Sequence, residues 1–252
     1  MSGTAPAKVA IVTGAARGIG RAIALSLARH GHAVALVDLR EEELARTASE
    51  IEALGVQALR LLVDTSDYEA ARRHVAQVAE LWGRIDVLVN NAAVPQPKRV
   101  LEITEAEWDS GMAVNLKGYF NWSQAVAPVM LAQGGGRMIN ISSVSAHTGP
   151  RVFSVSRFAY STAKAGILGM TKALARELAP TITVNAVCPG AIETERTRDS
   201  LGRHYEHVKQ ETPLGRLGTP EDIAVVVAFL ATAEPMFMTG EVVDVDGGAN
   251  IN

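Results

Sequence analysis

The sequence predicts an α/β fold, a doubly wound parallel sheet of about seven strands with helices on both faces. Three observations predict it. Short apolar runs alternate with helical patterns at about thirty-residue spacing, the signature of βαβ units and a parallel sheet. A glycine cluster follows the first apolar run directly and opens the first helix. The chain has 252 residues, 48% hydrophobic and 20% charged, which suits one large α/β domain over the whole length.

Residues 1–7 are small and polar and are expected to be frayed. Val9 to Val12 is the first strand, and Gly14, Gly18 and Gly20 follow it. A helical pattern through Ile23, Leu25, Leu27 and Ala28 ends at Gly31. Ala33 to Val37 forms the second strand and stops at Asp38. A charged helix from Glu41 to Leu54 ends at Gly55. Ala58 to Val63 is the third strand and stops at Asp64, and a helix runs from about Asp67 to Leu81. Val87 to Val89 leads into Asn90 and Asn91. One long helix is expected from about Glu105 to Ala132, broken by Gly134, Gly135 and Gly136. Met138 to Ile141 is a strand, Ala159 to Leu178 a helix and Ile182 to Val187 a strand. Pro220 to Ala231 is the last helix and Val242 to Val245 the last strand. Two stretches, about 144–157 and 191–217, fit no regular element. Long irregular segments in a compact α/β domain commonly serve as lids or binding loops, and 191–217 is expected to be a substrate-side lid.

Composition excludes several classes. Lys and Arg number 24 against 27 Asp and Glu, a formal charge of -3, so the basic excess of a dedicated nucleic-acid binder is missing. The single cysteine, Cys188, rules out an intrachain disulfide and a multi-cysteine metal site. No apolar run reaches the ~18 residues of a membrane span. The segment MSGTAPAK has no apolar signal-peptide core, and a cytoplasmic protein is expected. The histidines His30, His32, His74, His204 and His207 show no ligand spacing with nearby acids, so no catalytic metal is expected.

Thr13-Gly14-Ala15-Ala16-Arg17-Gly18-Ile19-Gly20 lies between the first strand and the first helix. Glycines there permit a tight turn and close backbone approach to a pyrophosphate. The helix N-terminus offers N–H groups and partial positive charge to the anion. Asp38, eighteen residues after Gly20, ends the second strand. A carboxylate there accepts hydrogen bonds from both adenosine ribose hydroxyls and repels a 2′-phosphate, which favours NAD over NADP. Arg17 and Arg40 act in the opposite sense, because a guanidinium holds such a phosphate. Asp64 has two readings, an adenine contact or a turn residue.

Tyr160-Ser161-Thr162-Ala163-Lys164 opens a predicted helix. Residues four apart share a helical face, so a phenol stands beside an ammonium. A free tyrosine has a pKa of about 10 and is a poor base at neutral pH. A neighbouring positive charge favours the phenolate. Bringing that pKa to about 7 takes roughly 4 kcal/mol, at ~1.36 kcal/mol per unit.

These features occur in one order. The glycine motif is followed by Asn90-Asn91-Ala92-Ala93, Ser142-Ser143, the Tyr160/Lys164 pair, Pro189-Gly190 and Asp246-Gly247-Gly248. Together, from about Lys8 to Gly248, they resemble the short-chain dehydrogenase/reductase family in its single-domain branch, with a Rossmann-type doubly wound parallel sheet. The resemblance implies that Tyr160 is the catalytic acid/base and that Lys164 lowers its pKa and bonds the nicotinamide ribose. Ser143 would hold the substrate oxygen. It is preferred over Ser142 as the second serine of the strand-end pattern, and strand alternation sends the two side chains opposite ways. Asn115, in Val114-Asn115-Leu116-Lys117-Gly118, would be the fourth catalytic residue, its carbonyl anchoring a water joined to the lysine. Cofactor contacts would come from Gly14, Arg17, Gly18, Ile19, Gly20, Asp38, Asp64, Asn90, Ala92, Tyr160, Lys164, Pro189, Gly190, Ile192 and Thr194. Asn90 would close the adenosine side, and Ile192 and Thr194 would fix the nicotinamide face. Ala93 stands where the family usually has glycine.

Sixteen residues separate Ser143 from Tyr160, more than is usual in the family. This loop carries His147, Arg151, Phe153 and Arg157, and an arginine there could bind a carboxylate or phosphate. Expected substrate contacts are Ser143, Tyr160, Arg151, Arg157 and Gln96, with Lys98 on the same edge. Thr197, Leu201 and Tyr205 would form a second wall. The family is commonly tetrameric, and Ala163, Ala165, Gly166, Gly169 and Ala173 would let helices approach closely in a homotetramer. The first expectation is an NAD-dependent dehydrogenase of a secondary alcohol, such as a sugar, polyol or cyclic alcohol. The alternative is an NADPH-dependent 3-oxoacyl-thioester (ACP) reductase. A third reading is a non-enzymatic nucleotide-binding protein, against which the set of Ser143, Tyr160, Lys164 and Asn115 argues.

Overall fold

The computed structural model describes residues 8–151 and 154–251. Residues 1–7, expected to fray, lie outside that range, as does Phe153 of the loop after Ser143. Seven strands form one sheet in the order β3-β2-β1-β4-β5-β6-β7. They are β1 Lys8–Thr13, β2 His32–Asp38, β3 Ala58–Leu62, β4 Val87–Asn90, β5 Gly136–Ile141, β6 Ile182–Pro189 and β7 Val242–Val245. Every pairing is parallel. The expected doubly wound sheet is therefore present, with all seven strands where the apolar runs stand.

The chain winds outward from β1 to β3, then returns to place β4 on the other side of β1. That reversal makes a crevice beyond the carboxyl ends of β1 and β4, where open α/β sheets bind ligands. Helices α1 (Gly18–Arg29), α2 (Glu41–Ala53), α3 (Tyr68–Trp82), α4 (Glu105–Met112), α5 (Gly118–Ala132), α6 (Ser145–Thr148), α7 (Phe158–Glu177), α8 (Glu195–Leu201), α9 (Tyr205–Glu211) and α10 (Pro220–Thr232) complete the architecture. Two separate apolar layers cover the sheet. One contains Ile23, Leu27, Leu44, Val227 and Leu230 from α1, α2 and α10. The other contains Val75, Val78, Trp122, Val126 and Met130 from α3 and α5. Strands sandwiched between such layers read as unbroken apolar runs, which is why they were legible.

Two expectations change. The long helix is not uniform: a π-helical turn, Ala113–Lys117, separates α4 from α5. The 191–217 stretch is not irregular. Its helices α8 and α9 close around Leu201, Val208 and Leu217, a small apolar cluster of their own.

His32, at the start of β2, is 1% exposed. Burial holds its imidazole below the usual value of about 6.5. The folded chain resists a proton that the unfolded chain accepts below that pH. Stability from the neutral ring is therefore full above about pH 6.5 and is lost as pH falls below it. Urea titrations should show this decline, and His32→Gln should flatten it; an unchanged slope would remove His32 as its source.

Candidate active site

The glycine turn between β1 and α1 is built by close contacts. Gly14 and Gly18 have φ of +66° and +55°, which favour glycine. A Cβ on Gly20 would sit 2.0 Å from the Gly14 carbonyl oxygen, so only glycine lets α1 start against the turn. The N-cap of α1, Arg17, makes no side-chain capping bond, leaving the first turn's N–H groups directed to the crevice. Thr13 and Asn91 lock β1 to β4. The Thr13 hydroxyl accepts from the Asn91 and Ala92 N–H groups at 2.8 and 3.1 Å, and Asn91 Nδ2 donates to the Thr13 and Gly14 carbonyls at 2.9 and 3.2 Å.

Asn91, not Asn90, is thus the residue at the turn. The Asn90 side chain is buried and points into the core, where Nδ2 donates to Ser123 Oγ at 3.0 Å and Asn140 Oδ1 at 2.9 Å. Asn140 in turn donates to Thr171 at 2.9 Å, so a buried polar ladder joins β4, α5, β5 and α7 beneath the site. Asn90, expected to close the adenosine side of the cofactor pocket, turns its side chain into the core. Ala93 has no positive φ, since no described non-glycine residue does, so its replacement of the usual glycine strains nothing.

Asp38 faces the turn. Its carboxylate accepts from the Ala16 N–H at 3.1 Å, Leu39 N–H at 2.8 Å and Arg40 N–H at 3.1 Å. Arg40 pairs with Glu43 at 3.5 Å. A groove of about 450 Å³ beside the turn is lined by Arg17, Arg21, Arg46, Glu43, Glu50 and Thr194, both charge signs together. Asp64 is exposed and accepts from the Ser66 N–H and hydroxyl, both at 2.8 Å, which is the geometry of its turn reading.

Thr194 caps α8, accepting from the Thr197 N–H at 3.1 Å. Its methyl group would lie 3.6 Å from a Cβ on Gly18, so this segment approaches the start of α1. The Gly190 N–H donates to the Val245 carbonyl at 3.0 Å, and Ile192 bridges to Gly218. Pro189, Gly190, Ile192 and Thr194 are therefore held by β7 and the strand-like 218 segment. The glycine cradle, the uncapped helix start and the carboxylate at the end of β2 together fit a nicotinamide dinucleotide.

The second half of the site lies where β5 meets α7. Lys164 is 1% exposed. Its ammonium donates to the Ile141 carbonyl and to the Tyr119 hydroxyl, each at 2.8 Å, and lies 5.5 Å from the Tyr160 ring centroid. Tyr119 also donates to the Ile141 carbonyl at 2.8 Å. Burial raises the Tyr119 phenol well above its ordinary value, so it stays protonated beside the cation. Ser142 is buried and donates to the Lys164 carbonyl at 2.7 Å. Ser143 is half-buried, and its Oγ accepts from the Ser145 N–H at 3.2 Å. The two serines thus diverge as strand alternation requires. Asn115 is fully buried in the π turn, and its amide pairs with the Val94 N–H and carbonyl at 2.8 and 3.0 Å. π turns are rare and frequent at functional sites.

Tyr119 was not singled out in the sequence. The available signal was its position four residues beyond Asn115, on the helix facing the lysine. Tyr119→Phe leaves the buried ammonium with one acceptor fewer. A loss of about 1–3 kcal/mol of stability is expected, with a fall in kcat larger than the rise in KM. Thermal melts with steady-state kinetics check this; wild-type values in both would remove Tyr119 from the lysine's support.

The expected substrate contacts fare differently. Arg151 donates to the Ala249 carbonyl and lies 3.8 Å from Glu211, so its charge is spent on the chain's own α9 and C-terminal segment. Gln96 Nε2 donates to the Glu107 carbonyl at 3.1 Å, on α4. Lys98 pairs with Glu107 and holds that carboxyl at about 2. The Arg157 N–H donates to the Gln96 carbonyl at 2.7 Å. Gln96, Lys98 and Arg151 therefore brace loops. Of the expected second wall, Leu201 is buried in the small apolar cluster with Val208 and Leu217, and the Tyr205 hydroxyl donates to Glu193 at 2.9 Å.

A family model described as "Enoyl-(Acyl carrier protein) reductase" matches residues 14–250. The 3-oxoacyl-[acyl-carrier-protein] reductase FabG of Thermotoga maritima is 40% identical over 242 residues, 96% of this chain and 97% of its own. The chain belongs to the short-chain dehydrogenase/reductase family. The FabG protein of Aquifex aeolicus is 41% identical over 243 residues, 96% of each chain. A crystal structure of a short-chain type dehydrogenase/reductase from Mycobacterium marinum superposes with a TM-score of 0.91 at 34% identity, covering 98% of this chain and 97% of that one. Membership makes the chain an oxidoreductase that binds a nicotinamide cofactor. No described helix is long and apolar enough to cross a membrane.

Proposed function

We propose that this short-chain dehydrogenase/reductase interconverts a secondary alcohol and its ketone with NAD(H), the whole chain acting as one catalytic domain. The observation that carries this is the set where β5 meets α7: a buried lysine whose ammonium lies 5.5 Å from the Tyr160 ring centroid and bonds the Ile141 carbonyl, with a half-buried Ser143 two residues beyond Ile141. The bound nicotinamide would supply hydride acceptance or donation. Tyr160 takes the hydroxyl proton in oxidation and returns it in reduction. Ser143 donates to the substrate oxygen as charge develops on it. Lys164 supplies the positive charge that favours phenolate. Asn115 holds the 94 segment on the π turn.

Asp38 supports NAD, since a carboxylate at that strand end repels a 2′-phosphate. The pairing of Arg40 with Glu43 offsets the nearest opposing charge. A second reading is favoured by the relatives: FabG proteins at 40% identity are named 3-oxoacyl-[acyl-carrier-protein] reductases. Reduction of a 3-oxoacyl thioester with NADPH uses the same proton donor. The deciding experiment pairs two assays, NAD reduction with sugars, polyols and cyclic alcohols, and NADPH oxidation with a 3-oxoacyl thioester. Turnover only in the first supports the alcohol reading, and turnover only in the second replaces it.

The proposed working form is a cytoplasmic homotetramer. Its support is an apolar surface formed by Met112, Leu116, Phe120 and Met170, with Gly169 open beside it. Sedimentation should give four chains; a monomer at assay concentration would overturn this.

A further inference from the structure

Outside the hydride-transfer machinery, one cluster of side chains converges on a point. Cys188 on β6 and Asp244 on β7 are register partners in adjacent parallel strands, so their side chains share one face of the sheet. His147, on α6, covers them. Its Nε2 lies 3.7 Å from Cys188 Sγ and 3.4 Å from Asp244 Oδ1. The three ligand atoms all lie within 4.8 Å of one another. Three separate elements present them. The end of β5 is fixed to β6 by the Ser142 N–H on the Val187 carbonyl at 2.8 Å and the Val144 N–H on the Pro189 carbonyl at 3.2 Å. The His147 N–H closes α6 on the Val144 carbonyl at 3.0 Å.

We propose that His147, Cys188 and Asp244 form a binding site for one divalent cation of the zinc class. A tetrahedral Zn²⁺, with Zn–S about 2.3 Å and Zn–N or Zn–O about 2.0–2.1 Å, sets S···N edges of about 3.6 Å and N···O edges of about 3.3 Å. The two distances from Nε2, 3.7 and 3.4 Å, match those edges, and all three ligand atoms lie within 4.8 Å of one another. A thiolate, an imidazole and one carboxylate suit zinc or cobalt and not calcium or magnesium, which take oxygen ligands. A nucleophilic relay would need the two imidazole nitrogens on two different partners. Here one nitrogen, Nε2, meets both, which is convergence on a centre.

His147 is exposed, so water would supply the fourth ligand. Cys188 immediately precedes Pro189, and His147 is four residues beyond Ser143. A bound ion would tie the enlarged loop to the strand that carries the nicotinamide-side segment. The site does not depend on the reaction proposed above.

The test is cobalt titration of the full chain after dialysis against a chelator. One Co²⁺ per chain is expected, with a thiolate-to-cobalt charge-transfer band and visible bands of tetrahedral intensity. Stoichiometric Zn²⁺ should displace it and raise the melting temperature. Cys188→Ser should lose the charge-transfer band, and His147→Ala, at an exposed position that tolerates truncation, should lose tight binding. No thiolate band in the wild type, or titrations unchanged in His147→Ala, would overturn the site.

Discussion

Replacing Tyr160 with Phe should lower kcat on the order of 10²–10⁴-fold, the usual worth of a positioned acid/base. The substitution removes one hydroxyl and keeps the ring. Lys164 stays in place because its ammonium is held by Tyr119 and the Ile141 carbonyl. The cofactor cradle is built from Gly14, Gly20, Thr13 and Asn91, at the ends of β1 and β4, and not from Tyr160. NADH affinity should therefore remain nearly unchanged in a fluorescence titration, while turnover is lost. Loss of both would indicate a structural role for the hydroxyl. Full turnover in the variant would remove the mechanism. Lys164→Met gives a companion result. Tyr119 already donates to the Ile141 carbonyl without the lysine, so the pocket retains a hydrogen bond when the ammonium goes. Activity should fall and its pH profile should move to more alkaline values, as expected when a cation beside a phenol is removed.

The strands and the cradle could be read from the sequence because their signals are local. A strand buried on both faces is an apolar run, and Gly14 to Gly20 is a contiguous turn. Other features depend on partners far along the chain. Arg151 looked like a substrate ligand because its partner carbonyl, Ala249, is 98 positions away. Asn90 and Asn91 are chemically identical neighbours, and only the alternation of β4 sends one to the core and the other to the turn. The π turn around Asn115 leaves no mark in a helical pattern, since it adds a residue to one turn without changing composition. Helices α8 and α9 are seven residues each, too short for a periodic pattern to stand out. His147, Cys188 and Asp244 have no ligand spacing in sequence because β6, β7 and α6 bring them together only in the fold.

Removing the charge of Asp38 should invert cofactor preference. One unit charge about 5 Å from a phosphate charge, at an effective dielectric of about 20, costs about 3 kcal/mol. That corresponds to roughly a hundredfold in affinity. The carboxylate also accepts three backbone N–H groups, from Ala16, Leu39 and Arg40, so its removal loosens the turn as well. Two variants separate these effects. Asp38→Asn keeps the size and one acceptor oxygen and removes the charge; Asp38→Ser removes most of the acceptor capacity too. Both should gain NADPH binding. Asp38→Ser should also lose NADH affinity, because a shorter side chain no longer reaches the ribose hydroxyls. Adding Arg40→Ala to Asp38→Asn should reduce the gained NADPH affinity, since a guanidinium two residues after the strand end can hold a 2′-phosphate. Parallel NADH and NADPH titrations of the three variants decide the matter. Unchanged selectivity in Asp38→Asn would show that the carboxylate does not select the cofactor. The choice would then rest on Arg17 and Arg40, and 3-oxoacyl thioesters would become the first substrates to assay.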